Sequence, residues 1–140
     1  MKHLCITCLL VGLVFSTCKA QSDEEIDCIQ RILEQDALLG EIRNHPSDSL
    51  PLKDVILNYA RALEALDYDN CPHDFRYAFM THIKAWKDMM PVVDQYPNLR
   101  GEMHDLFSHL SDSNHKDLFN QNLNAIWRTW ENVEALIPRE

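Results

Sequence analysis

Three stretches of the chain repeat one spacing of apolar positions. Leu52, Ile56, Tyr59, Leu63 and Leu66 step by 4, 3, 4, 3; Phe75, Phe79, His82, Trp86 and Met89 do the same. Phe119, Leu123, Ile126, Trp130, Val133 and Ile137 extend the series with one more step of 4. That period places each set on one face of an α-helix. An earlier segment, carrying Ile26, Ile29, Ile32, Leu33, Leu39 and Ile42, reads as another helix ending near Arg43. It opens with Ser22-Asp23-Glu24-Glu25, a capping box in which Ser22 and Glu25 each satisfy the other's backbone amide.

Punctuation between the stripes fits this reading. Asn44 to Asp48 is a turn, Pro51 and Pro72 stand at first helical positions, and Pro91 stops or kinks the third helix. A short helix is expected over Met103–Leu110, followed by the polar turn Ser111 to Asn114. Beyond residue 20 only Gly40 and Gly101 are glycine, and there are few β-branched runs. The expected fold is all-α: an antiparallel four-helix bundle with a short extra helix between the third and fourth long helices. Residues 21–140 are expected to form one helical domain, a length that buries roughly two-thirds of the unfolded surface.

The first twenty residues follow a different pattern. A basic start at Lys2, an apolar run from Leu4 to Phe15 and the small-x-small ending Cys18-Lys19-Ala20 make residues 1–20 an export signal. That run is too short to span a bilayer. Two processing readings stand side by side: cleavage after Ala20, or Phe15-Ser16-Thr17-Cys18 as a lipobox with lipid on Cys18. Cys5-Ile6-Thr7-Cys8 has a redox or metal spacing but lies within the signal. The expected location is the periplasm, the outer membrane through a lipid anchor, or the extracellular space.

Export changes the charge and the meaning of the cysteines. The whole chain carries −9; without Lys2 and Lys19 the remainder stands at −11. Such acidity repels nucleic-acid backbones and anionic lipid surfaces, and no basic patch offsets it. A nucleic-acid partner is therefore excluded, and the partner expected is a protein or a small molecule. Beyond residue 20 the cysteines are Cys28 and Cys71. Up-down topology brings the second turn of helix one and the start of helix three to the same end. In an oxidising compartment a Cys28–Cys71 disulfide is the expectation, the alternative being two free thiols.

The densest chemistry lies in "CPHDFRYAFMTHIKAW", Cys71–Trp86. Phe75, Phe79 and Trp86 read as core, Cys71 as a disulfide half, and His73, Arg76, Lys84 and Lys87 as solvated. His82 replaces an apolar residue in the stripe, so its ring is expected to be buried and hydrogen-bonded. The alternative makes His82 a ligand to haem b or a metal ion, with Met89 or another helix supplying the second ligand. No second histidine lies at helical metal spacing, and no Cys-x-x-Cys-His is present. No G-x-S-x-G or phosphate-binding loop occurs, so an enzyme using His82 as a base ranks third. Trp127, beside Trp130 on the last helix, reads as core or as a partner surface. The run from Cys71 to Trp86 resembles one in small exported bacterial proteins of unknown function. The resemblance covers those sixteen residues, implies a bacterial cell-envelope origin, and carries no activity. The functional expectation is a non-catalytic binding or structural module of the cell envelope, with haem b or metal binding at His82 as the alternative.

Overall fold

A computed structural model describes residues 22–47 and 49–138. The expected export signal over residues 1–20, with Cys18 and the Cys5/Cys8 pair, lies outside the described residues. Within them the protein is a helical bundle without strands: α1 (Asp23–Asn44), α2 (Leu52–Glu64), α3 (His73–Lys87), the single turn α4 (Met90–Val93), α5 (Met103–Ser111) and α6 (Lys116–Glu134). Among the described residues no helix is long and apolar enough to cross a membrane.

The helix limits follow from local chemistry. At the start of α1 the Ser22 hydroxyl accepts from the Glu25 amide at 3.3 Å, and Glu25 accepts from the Ser22 amide at 2.9 Å, as the capping box requires. Asn70 adopts a left-handed backbone (φ 67°), which asparagine tolerates, and so turns the chain into Cys71. Gly101 has φ 132°, a conformation that favours glycine, just before α5. After α3 ends, Pro91 sits in the first turn of α4, where its missing N–H costs nothing.

The stripes become the core. Ile56, Leu63, Phe75, Phe79, Met89, Phe119 and Val133 are fully buried. Each of these large side chains contributes on the order of 1.5–3 kcal/mol through burial. Helix α3 packs most extensively on α6 and next on α2; α1 packs on α2, and α5 packs on α6 and touches α1. Helices α1 and α6 make at most marginal close contact. That gap defines the rest of the molecule.

Helix α1 accordingly has two halves. In the first, Cys28, Ile29 and Ile32 are buried. Cys28 and Cys71 stand at disulfide distance, their Cα atoms 5.1 Å apart across 43 residues of sequence. In the second half the sequence expectation needs correcting. Ile42, counted with the apolar face of helix one, is 67% exposed, and Leu38 is 60% exposed. The inward positions there belong to Asp36, Gly40 and Arg43, which continue from Ile29 and Leu33 at steps of 4, 3, 4, 3. Ile42 points away from the core because its turn of helix presents Arg43 inward instead.

Candidate functional site: a groove between the first and last helices

Where α1 and α6 part, a cavity of about 510 Å³ opens to solvent. Helix α1 supplies Asp36 and Arg43, α2 supplies Tyr59, and α3 supplies His82 and Trp86. Met103 and Phe107 of α5, with Leu123, Ile126, Trp127 and Trp130 of α6, complete an apolar wall. All three tryptophans of the chain line this groove. Its volume falls within the roughly 300–1,000 Å³ typical of small-molecule sites, and its lining joins an apolar wall to a polar side that also includes Asn44, His45, Glu102 and His104.

His82 forms the buried end of the groove and is 4% exposed. The Trp86 Nε1–H donates to His82 Nε2 at 3.1 Å, so Nε2 acts as an acceptor. The proton of the neutral ring then sits on Nδ1 and donates to Thr129 Oγ1 at 3.0 Å. Thr129 in turn donates to the backbone carbonyls of Ala125 and Ile126, each at 2.9 Å. Burial, and then the positive charge of Arg43, push the His82 pKa down from 6.5 to about 4, while the Ile126 carbonyl works the other way. The ring is neutral at pH 7 and both nitrogens are engaged. A haem iron or metal ion at His82 would have to displace Trp86 or Thr129. Met89, suggested as a second ligand, is fully buried in the core. Among the described residues no three His, Cys, Asp or Glu side chains group as metal ligands.

Arg43 has a different setting. Its guanidinium lies 4.4 Å from the centroid of the Tyr59 ring and 4.2 Å from that of Trp86, a double cation–π contact. Nε–H and one Nη2–H donate to Asn44 Oδ1 at 3.2 and 3.1 Å. Among the described residues no carboxylate lies within ion-pair distance of Arg43. The carboxylates of the groove are each engaged elsewhere. Asp36 accepts from the Tyr59 hydroxyl at 2.5 Å, and Glu102 sits 2.6 Å from His45 Nδ1 at the groove's rim. Burial raises the Asp36 pKa, although the Tyr59 hydrogen bond and the Arg43 charge oppose it. Burial, and then the neighbouring Asp36, also raise the Tyr59 pKa. Tyr59 therefore stays a hydrogen-bond donor throughout the physiological range.

Trp127 is 60% exposed at the groove's edge, which corrects the reading of it as core. The adjacent Trp130 packs on His82 at 5.3 Å between ring centroids and donates to Glu134 at 2.8 Å. The two rings lie three residues apart on one helix face, Trp130 toward the core and Trp127 at the rim of the groove. Sequence reasoning missed Arg43, Asp36 and Thr129. The signal for the first two was their place on the inward period of helix one, which the apolar Leu38, Leu39 and Ile42 obscured.

Comparisons with protein families, with curated proteins and with solved structures found no match for this chain.

Proposed function

We propose that this protein is an exported, non-catalytic binding module whose ligand occupies the groove between α1 and α6. In this reading residues 1–20 are the export signal and the rest is one domain, with Cys28 and Cys71 joined in an oxidising compartment. The four long helices form an antiparallel bundle in which α5 fills the end and holds the seam between the first and last helices apart. The observation that carries the reading is the groove itself: about 510 Å³, walled by tryptophans, with one cation inside. Covering the apolar wall of such a groove favours a ligand at roughly 25 cal/mol per Å². A catalytic role for His82 has no support in its surroundings, because its low pKa and occupied nitrogens leave no group ready to move a proton.

The neutral apolar dye N-phenyl-1-naphthylamine tests the site directly. The expected outcome is saturable binding of one dye per chain, with energy transfer from the tryptophans that line the groove. Native mass spectrometry of protein purified from its own host adds a second readout: a small-molecule adduct that is lost on denaturation. Absence of saturable dye binding together with an adduct-free native mass would refute the groove as a ligand site. A Soret band or bound metal in that same preparation would favour the His82 alternative instead.

A further inference from the structure

We infer that the groove selects a flat, apolar anion of aromatic-carboxylate type, with its charge on the Arg43 guanidinium and its rings against Trp127 and Trp130. This inference rests on the reading of the groove as a ligand site.

The partners of the charged groups decide the sign of the ligand. Asp36 accepts from the Tyr59 hydroxyl, and Glu102 lies against the His45 ring. The Arg43 fork spends Nε and one Nη2 hydrogen on the neutral oxygen of Asn44. A guanidinium carries five N–H donors in a planar array, so even with one turned to the Tyr59 hydroxyl at least two are left for an acceptor. A carboxylate matches that planar array better than any other common ligand group. A cationic ligand faces the opposite situation. The Tyr59 and Trp86 faces that would attract it already hold the Arg43 guanidinium at 4.4 and 4.2 Å. The aromatic cage is filled by the protein's own cation, and what it offers a ligand is positive charge.

The surroundings strengthen the effect. Two ring faces fix the guanidinium in place, so little side-chain freedom remains to be lost on binding. The groove is lined by Met103, Phe107, Leu123 and Ile126, which keep the local dielectric low and the charge poorly screened. The net charge of −11 on residues 21–140 acts against anions at long range. Binding should therefore be slow to start at low salt but specific once made, because the local cation is within contact distance and the remaining charges are screened beyond about 10 Å.

Calorimetry with three probes of one shape tests the inference: 2-naphthoate, its neutral amide 2-naphthamide, and 2-naphthylmethylammonium. The expected result is that the carboxylate binds at least about tenfold more tightly than the amide, as charge-assisted hydrogen bonds to a preorganised arginine imply. Arg43→Met should abolish that preference, while Arg43→Lys should retain part of it, with far-UV circular dichroism verifying that both variants fold. Equal affinity for acid and amide in the wild-type protein overturns the anion inference while leaving the groove reading intact. Tighter binding of the ammonium also overturns it and makes Asp36 the anchor. A carboxylate preference that survives in Arg43→Met places the anion elsewhere and overturns it too. If none of the three probes binds or alters tryptophan emission, the groove reading falls along with the inference.

Discussion

His82 and Arg43 both carry nitrogen donors at inward helical positions beside Trp86, yet their settings are opposite. His82 lies where α3 meets α6, the most extensive interface of the molecule, and each ring nitrogen has a partner. Arg43 lies where α1 and α6 fail to meet, and among the described residues no carboxylate pairs with it. A buried polar group with complete hydrogen bonds specifies and stabilises a core. In the proposed reading, a held cation beside a cavity meets a ligand from outside. The lesson is that burial of an unusual residue is a weak guide to function until its hydrogen bonds are counted.

The largest expected effect would loosen one side of that contrast. The Cys28–Cys71 pair anchors the first half of α1 across 43 residues of sequence. Replacing both with serine should lower stability by about 4 kcal/mol in the chain-entropy treatment, measured by denaturant unfolding. Arg43 lies fifteen residues further along the helix, about 22 Å away. The dye should therefore still bind the folded double variant. Loss of dye binding in a folded variant would mean that the groove depends on the staple and is no independent half of α1.

A change at His82 comes next. His82→Leu removes the acceptor of the buried Trp86 N–H and should cost about 2–3 kcal/mol at pH 7. The pH dependence is more specific. His82 has a pKa of about 4 in the folded protein against 6.5 for the ordinary side chain. The unfolded chain takes up the proton first, so the neutral-ring contribution is complete above pH 6.5 and is lost as pH falls to about 4. Over that window the wild-type protein should lose about 3 kcal/mol relative to His82→Leu, by the 1.36 kcal/mol of each pK unit. Urea unfolding of both proteins at pH 7 and pH 4 measures the difference. A constant gap between them would mean that His82 titrates in the fold as it does in the unfolded chain and that its network is drawn wrongly.

Much of this contrast could be read from the sequence, and the exceptions share a cause. The helices, the capping box, the buried stripes on α2, α3 and α6 and the pairing of Cys28 with Cys71 follow from local periodicity and from helix order. The burial of His82 was legible because it interrupts a strong stripe. Its partner Thr129 was not, because threonine on α6 gives no periodic signal and the contact spans 47 residues. The groove was illegible for another reason. Whether two helices close on each other depends on their relative placement, and periodicity describes each helix alone. Ile42 looks apolar in one dimension and is exposed in three because its neighbour Arg43 takes the inward place, and Trp127 is exposed because its face of α6 borders the groove rather than another helix.

A smaller effect separates structure from function at Arg43. Arg43→Met keeps the apolar stem against Tyr59 and Trp86 but removes the cation, which should cost about 1 kcal/mol for two partly exposed cation–π contacts. Thermal unfolding measures it. A cost near that of His82→Leu would make Arg43 a structural residue like His82 and erase the distinction drawn between them.

The smallest expected effect lies one turn earlier, at Gly40. This residue is buried within α1, where glycine is unfavourable by about 0.5–1 kcal/mol relative to alanine. A Cβ placed there meets only the Arg43 Nη2 atom, at 3.6 Å, an ordinary contact with the end of a flexible side chain. Gly40→Ala should therefore stabilise the fold by about 0.5–1 kcal/mol, seen as a raised midpoint in denaturant. The same methyl group would touch the guanidinium without displacing it. Aromatic-carboxylate affinity should then be unchanged or slightly improved. If the substitution stabilises the protein but weakens the carboxylate, the space above Gly40 is room that Arg43 needs in order to move onto its ligand. The open seam would then contain a mobile cation where the closed interface of α3 and α6 contains a fixed base.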